Sequence, residues 1–126
     1  MSTEKPWLRF YEEEVPAIID IPDIPLHQVL VDAAMRVPDN TAVHMVIKYL
    51  PFGWKIQSQL TYRQLDEASS RFAAALHALG IRKGDRVAII LPNIVQQVIA
   101  FYGILKAGGV IVNTNPTYTP RELQYQ

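Results

Sequence analysis

The residues best suited to contact a small ligand lie in the loop Asn113–Tyr118, directly after a short apolar run. Asn113 and Asn115 carry amide groups, which donate and accept hydrogen bonds without a charge. The preceding Val110–Val112 is typical of a buried strand, and open α/β sheets collect ligands at the carboxyl ends of their strands. A ligand-side loop is one interpretation. The other, which the residue types favour, is a simple turn, because Asn and Pro also build tight turns.

Two glycine-containing segments could be mistaken for phosphate-binding loops. Gly80–Gly84 is followed by Asp85, where a Walker loop needs Lys and then Ser or Thr. Lys106–Gly109 lies at the end of a predicted helix, where the helix dipole repels anions. Both segments are therefore expected to be helix ends. The sequence also has no G-x-G-x-x-G motif, so it lacks a dinucleotide fingerprint.

No local spacing in the sequence predicts a catalytic or metal-binding constellation. His27, His44 and His77 are far apart, and no two of them have the spacing of metal ligands on one helix. Ser69 and Ser70 are expected on a polar helix face, outside any G-x-S-x-G motif. The absence of Cys excludes a thiolate zinc site, a disulfide and a Cys nucleophile. We therefore nominate no catalytic, cofactor-binding or metal-binding residue.

The first half of the chain predicts a helix followed by a hairpin. Apolar residues recur at helical spacing over Leu26–Val37, and Pro38 ends the pattern. Residues that favour strands dominate Thr41–Tyr49 and Trp54–Leu60, so these two segments are expected to pair as a β-hairpin.

A second helix, after the hairpin, has the strongest local signals. Thr61 and Gln64 match a capping box at its start, and Gly80 suits the left-handed residue that ends many helices. Its predicted apolar stripe consists of Leu65, Ala68, Phe72, Leu76 and Leu79.

The second half of the chain predicts a βαβ unit. Arg86–Leu91 is almost continuously apolar, as in a strand that is covered on both faces. Asn93, with Gln96, is expected to cap a largely buried helix over Ile94–Ala107, and Val110–Val112 is expected to pair parallel to the first strand. The predicted fold class is α/β, a flavodoxin-like βαβ parallel-sheet lobe preceded by a helix and a β-hairpin.

These patterns divide the chain into an extended N-terminal arm over 1–25, a helix and hairpin over 26–61, and an α/β portion over 62–126. The arm holds four of the nine prolines and has large apolar side chains such as Trp7 and Phe10, so we expect it to lie in a groove on its own domain or on a neighbour. Thr119 begins a predicted helix, and Gln126 follows in under two turns. Because so short a helix is marginal by itself, the sequence predicts a polypeptide truncated at 126. It also predicts self-association through the apolar surface that is left uncovered.

Composition narrows the classes of partner. The 12 Lys and Arg residues balance 12 Asp and Glu residues, which argues against a nucleic-acid binder. The longest apolar run, Val98–Leu105, is far shorter than the roughly 20 residues that span a bilayer, so we expect no transmembrane segment. A cytoplasmic location is expected, and peripheral contact with a membrane surface is compatible with the sequence.

Three stretches together carry a family resemblance. They are Leu60–Leu65, Gly84–Asn93, and Leu105–Gly109 continuing through Asn115-Pro116 to Thr119–Leu123. In this order and spacing they resemble the start of AMP-forming acyl-CoA synthetases, members of the adenylate-forming superfamily. The arm, through Pro6-Trp7-Leu8 and Ile24-Pro25-Leu26, is similar to medium- and long-chain fatty acyl-CoA ligases in particular. The hairpin, with Pro51–Trp54 at its turn, is longer than the hairpin that this resemblance leads us to expect.

The resemblance implies an enzyme that ligates a fatty acid to CoA in two steps, with ATP, Mg²⁺ and CoA. It also implies that this chain is the first subdomain of the large N-terminal domain, which completes its site with the remaining domains of the parent chain. The functional residues of the family lie further along, so none is carried over and this chain alone is expected to be inactive. The alternatives are a ligase for an aryl or amino acid, and a non-catalytic association module.

Overall fold

A computed structural model describes residues 5–126 as two small sheets joined by helices. The strands are β1 (Thr41–Tyr49), β2 (Lys55–Thr61), β3 (Arg86–Ile89) and β4 (Val110–Asn113). The α-helices are α1 (Leu26–Arg36), α2 (Tyr62–Ala78), α3 (Val95–Lys106) and α4 (Pro120–Tyr125). Short 3₁₀ helices lie at Pro6–Phe10 and Pro51–Gly53.

The predicted hairpin is confirmed by the antiparallel pairing of β1 with β2. The register runs from Thr41 opposite Thr61 to Tyr49 opposite Lys55, with irregularities near both ends. Its base is joined to the start of α2, because the Tyr62 N–H donates to the Asn40 carbonyl over 3.1 Å. The base therefore packs on the body of the fold, while the turn points away from it.

Both predicted ends of α2 are confirmed. Thr61 Oγ1 accepts from the Gln64 N–H over 3.2 Å, and Gln64 Oε1 accepts from the Thr61 N–H over 2.9 Å. At the other end Gly80 has φ 95°, and the Ile81 N–H donates to the Leu76 carbonyl over 3.0 Å. That bond closes a Schellman motif, which needs a left-handed residue at the position of Gly80.

The predicted face of α2 was wrong at two positions. Ser69, expected on a polar face, is fully buried, whereas Leu79, expected in the apolar stripe, is mostly exposed. The Ser69 hydroxyl donates to the Asp66 carbonyl of its own helix over 3.0 Å, which lets it face α3 without an unmet polar group.

The βαβ unit is confirmed, because β3 and β4 pair in parallel from Arg86 opposite Val110 to Ile89 opposite Asn113. The connecting helix α3 is largely buried, as expected. The predicted cap was wrong: Ile94, not Asn93, is the N-cap residue, and it makes no side-chain capping bond. The strand β3 is also shorter than predicted and ends at Ile89.

The core lies between α2, α3 and the parallel strands. Its buried members are Ala73, Leu76, Ile89, Ala100, Ile104 and Ala107. At Gly103 of α3, an added Cβ would lie 2.6 Å from Phe72 Cδ1 and 3.0 Å from the Ser69 carbonyl oxygen. Gly103 therefore allows the two helices to approach more closely than any larger residue would.

A partly buried ion pair also joins these two helices. Lys106 Nζ lies 2.6 Å from Asp66 Oδ1, and it donates to the Asp66 carbonyl over 2.8 Å and to Ser70 Oγ over 2.9 Å. The ammonium therefore uses all three of its donors. Such complete satisfaction is what a charge needs when it is only 10% exposed.

The N-terminal arm differs from the prediction. It is not extended throughout, because Pro6–Phe10 forms a 3₁₀ helix, and most of its large apolar side chains are exposed, so they do not lie in a groove formed by residues 5–126. A groove on a neighbour stays a prediction. Residues 1–4 of the predicted arm lie outside the described residues. Among the helices of residues 5–126, none combines the length and hydrophobicity that a bilayer crossing requires.

Candidate functional site

A cleft of about 470 Å³ opens at the carboxyl ends of the parallel strands β3 and β4. It is lined by residues 91–93 after β3 and 113–116 after β4, with Gln97 of α3 and Tyr118. Both loops leave the sheet at the same edge, because parallel strands end on the same side. This is the edge where the sequence places its candidate loop.

Asn113 occupies the last paired position of the sheet, opposite Ile89. The next residue extends the ladder by one bond, since the Thr114 N–H donates to the Ile89 carbonyl over 3.0 Å. The Asn113 carbonyl accepts from Gln126 Nε2 over 3.0 Å, which connects the strand end to the last residue of the chain. Asn113 is thus held by its backbone, and its exposed amide group remains at the cleft.

Asn115 lines the same cleft and also builds the turn that follows. Its Oδ1 accepts from the Thr117 N–H over 3.0 Å and from Thr117 Oγ1 over 2.9 Å. The Asn115 carbonyl then accepts from the Tyr118 N–H over 3.1 Å. The two interpretations of this loop are therefore compatible, because the turn uses the oxygen of the amide and ligand contact would use its NH₂ group.

Two further polar residues of the cleft, Asn93 and Gln97, were not predicted from the sequence. Asn93 was assigned to a helix cap, yet it lines the cleft together with Gln97. Thr114, which lies within the predicted loop, is buried and also lines the cleft. The signal that could have found Asn93 was its place directly after a predicted parallel strand, the same argument that selected Asn113.

The cleft offers hydrogen bonds and little charge. Its polar lining consists of three Asn, one Gln, one Thr and one Tyr, without Asp, Glu, Lys, Arg or His. Such a lining can orient a polar ligand through amide groups. It supplies no carboxylate for a metal ion and no charged group to balance a phosphate. In residues 5–126 as a whole, the structure brings no three His, Cys, Asp or Glu side chains into a metal-binding group.

A second cleft, of about 580 Å³, lies beside the first and shares Tyr118 with it. Its other lining residues belong to α4 or to the end of the chain, and Arg121 and Glu122 bring charge to it. The Thr119 N–H and Thr119 Oγ1 each donate to Glu122 Oε2 over 2.7 Å. These backbone and side-chain bonds from Thr119 lower the pKa of Glu122, because they stabilise the carboxylate.

The histidines have structural contacts of their own. His44 Nε2 lies 3.0 Å from Gln57 Oε1 across the hairpin, and His77 Nδ1 lies 3.1 Å from the Ile81 carbonyl oxygen at the end of α2. The second contact connects the His77 ring to the backbone that follows the C-terminal end of α2.

The comparisons with known proteins agree on one family. Residues 30–126 match the family described as "AMP-binding enzyme". The chain is 41% identical over 126 residues to a long-chain-fatty-acid–CoA ligase of Bacillus subtilis, covering all of this chain and 21% of that protein. It is 44% identical to a ligase of the same name from Yersinia pestis, covering 98% of this chain and 20% of that protein.

A solved structure matches the fold. The crystal structure of a long-chain-fatty-acid–CoA ligase from Archaeoglobus fulgidus superposes with a TM-score of 0.74 and 23% identity, over 85% of this chain and 21% of that one. The α/β arrangement with its hairpin and small βαβ unit thus matches a part of an adenylate-forming enzyme. The chain spans about one fifth of the length of the curated relatives that it matches.

Proposed function

Because the chain belongs to the AMP-binding enzyme family, we propose that it forms the first lobe of an ATP-dependent fatty acid–CoA ligase. The observation that carries this proposal is the 41% identity to the Bacillus subtilis ligase over the entire chain. The alignment covers the arm and the hairpin as well as the βαβ unit. The resemblance is therefore to a ligase lobe as a whole.

The proposed reaction converts a fatty acid, ATP and CoA into acyl-CoA, AMP and pyrophosphate. A carboxylate is a poor electrophile, and adenylation gives its oxygen a stable leaving group that the thiolate of CoA can displace. Cationic groups and Mg²⁺ offset the crowded phosphate charge in reactions of this kind.

The described residues do not fit the role of a Mg²⁺ or phosphate site. Residues 5–126 form no metal-binding group, and the cleft at β3 and β4 has no charged side chain. In our proposal this chain acts as a scaffold. It supplies a flavodoxin-like parallel layer, whose strand ends present Asn113 and Asn115 toward the ligand side, and the reactive groups come from the rest of the ligase.

The test is a chimaeric protein, here called the graft, in which this chain replaces the matching part of a named relative. The chain replaces the matching 126 residues of the Bacillus subtilis ligase, and acyl-CoA formation is measured with Mg-ATP, CoA and a fatty acid. We expect the graft to form acyl-CoA and the isolated chain to form none. A graft that carries Ile104→Ala is the matched control, because it weakens the lobe without touching the cleft.

The acid is tested separately, with the polypeptide that contains this lobe and a panel of fatty, aryl and amino acids. Thioester formation with fatty acids supports the proposal. Thioester formation with aryl or amino acids alone replaces it by another adenylating ligase. A well-folded graft with no thioester for any acid favours the non-catalytic association module.

A further inference from the structure

The hairpin tip, defined here as residues 47–57, protrudes from the fold. Every residue from Ile47 to Gln57 is exposed, whereas most strand residues nearer the base are partly buried. Four residues on one arm of the hairpin, at about 3.3 Å each, extend roughly 13 Å beyond the body. The tip is therefore long enough to enter an apolar environment while the base of the hairpin stays in water.

The side chains of the hairpin tip are unusually apolar for an exposed turn. Its large apolar members are Ile47, Tyr49, Leu50, Phe52, Trp54 and Ile56. Phe52 is 99% exposed and Trp54 is 73% exposed. Tyr and Trp are the residues that concentrate where a membrane meets water, because one end of each ring system is apolar and the other is polar.

The backbone conformation at Phe52 is unfavourable for an aromatic residue, so folding stability alone does not explain why Phe occupies this position. Phe52 has φ 63° and Gly53 has φ 79°, the two consecutive positive values that hairpin turns usually fill with Asn-Gly. A bulky aromatic residue is disfavoured at such a φ. The hairpin therefore places its most exposed apolar side chain at a position where the turn itself would prefer a small polar residue, and strain of this kind often marks a functional contact.

The charges of the hairpin tip have one sign. Lys48 and Lys55 are both exposed and lie one register step apart, opposite Ile56 and Tyr49. No Asp or Glu occurs between Ile47 and Gln57. Exposed lysines beside aromatic residues complement a bilayer surface that carries anionic lipids.

The N-terminal arm is the natural comparison, because it too exposes isoleucines. Ile18, Ile19 and Ile21 lie beside Asp20 and Asp23, whose negative charges would be repelled by anionic headgroups. Exposed hydrophobicity alone is therefore not the criterion. The segment Lys5–Tyr11 of the arm also combines exposed aromatic residues with positive charge, but the acidic run Glu12–Glu14 follows it directly. The hairpin tip combines exposed aromatic residues and positive charge without an acidic residue.

We propose that the hairpin tip inserts into the interfacial layer of a lipid bilayer that contains anionic lipids. Phe52 and Trp54 enter the region between headgroups and acyl chains, and Lys48 and Lys55 contact phosphate groups of the lipids. An insertion depth of about 5–10 Å suits a tip of this length. The proposal goes beyond the ligase function and does not depend on it, because lipid binding needs no acid, nucleotide or CoA.

The first test measures co-sedimentation of the full chain with phosphatidylcholine vesicles that contain about one third phosphatidylglycerol. Phe52→Asn is the decisive variant, because it relieves the backbone strain and removes the apolar group. We expect a melting temperature at or above that of the unchanged chain and vesicle affinity lower by about tenfold or more. Leu79→Asn, which likewise removes an exposed apolar side chain, at the C-cap of α2, should leave vesicle affinity unchanged.

The second test removes the positive charges. Lys48→Gln together with Lys55→Gln should lower the affinity for anionic vesicles about twenty-five-fold, at roughly fivefold for each lysine. Lys83→Gln, which removes an exposed lysine far along the chain, is the matched control and should lower it less than twofold. Vesicles of pure phosphatidylcholine should bind the unchanged chain more weakly than the anionic vesicles.

The third test locates the contact. Trp7 and Trp54 are the two tryptophans of the chain, so Trp7→Phe leaves Trp54 as the reporter. Its emission should shift to shorter wavelength on vesicle addition, and Trp7 in a Trp54→Phe variant should show no such shift. Three results would overturn the proposal: no vesicle binding by the unchanged chain, unchanged binding by Phe52→Asn, or a shift at Trp7 instead of Trp54. The first would leave a protein surface as the partner of the hairpin tip.

Discussion

The interface between α2 and α3 and the hairpin tip use apolar residues in opposite ways. At the interface, Ile104 is 1% exposed and Gly103 brings the two helices into close contact. At the hairpin tip, Phe52 is almost fully exposed on a strained backbone. Residue type alone would assign both aliphatic and aromatic side chains to a core. The difference shows that burial depends on whether a second element is shaped to receive the side chain.

Polar groups also differ between the α2–α3 interface and the hairpin tip. At the interface, Ser69 and the Lys106–Asp66 pair have hydrogen-bond partners, and no buried side-chain polar atom within residues 5–126 lacks one. At the hairpin tip, Lys48 and Lys55 extend into solvent. The interface is therefore built for stability, and the hairpin tip is free to serve another purpose. Four experiments would sharpen or break this comparison.

The largest effect is expected from Ile104→Ala at the interface. The truncation removes buried methyl groups and leaves a cavity, so the free energy of unfolding should fall by about 2–5 kcal/mol. Urea denaturation of the full chain measures it. The matched control is Ile47→Ala at the hairpin tip, which should change the free energy by no more than about 0.5 kcal/mol. Equal losses at the two positions would refute the contrast in packing.

Lys106→Met should have the next largest effect. Methionine keeps most of the apolar stem but leaves the partly buried Asp66 without its cation, so the free energy of unfolding should fall by about 2–3 kcal/mol. The control is Arg71→Met, because the exposed Arg71–Glu67 pair at 3.9 Å is worth about 0.2–0.5 kcal/mol. If both variants lose the same amount, the Lys106–Asp66 pair is not a structural link between α2 and α3.

Phe52→Asn should change stability in the opposite direction. Asn tolerates positive φ better than Phe does, so the free energy of unfolding should rise by about 0.5–1 kcal/mol in urea denaturation. Trp54→Asn is the control. Trp54 is also exposed but has an ordinary φ of −71°, so replacing it should bring no such gain. A loss of stability in Phe52→Asn would mean that the aromatic ring supports the hairpin.

The smallest effect concerns Glu122 at the start of α4. Because the pKa of Glu122 is lower in the folded chain, its contribution to stability is complete above the ordinary glutamate pKa. It is lost as pH falls through the lowered value. An NMR titration should show the α4 amides losing their folded shifts over that acidic range. Thr119→Val, which removes one donor to the carboxylate, should move the pKa of Glu122 back toward its ordinary value.

Much of the fold could be predicted because its signals are local. The capping boxes at Thr61 and Thr119 and the left-handed Gly80 depend on residues three or four positions apart, and all are present. The candidate loop after β4 was found by the same kind of reasoning. Its partner loop after β3 was missed because Asn93 resembles a helix cap, and the shared cleft appears only when the two strands are paired.

The sequence by itself determined both ends of α2, the start of α4, the hairpin and the existence of two parallel strands, because steric and hydrogen-bonding preferences among near neighbours set each of these elements. It also carried the motifs that place the chain in its family. Only the tertiary structure decided that Ser69 is buried, that Leu79 is exposed, and that the hairpin tip stands clear of the body. The physical reason is that the burial of a side chain depends on the surface that packs against it as well as on its own residue type. Ser69 can be enclosed because Gly103, more than thirty residues away, has no side chain to keep α3 at a distance.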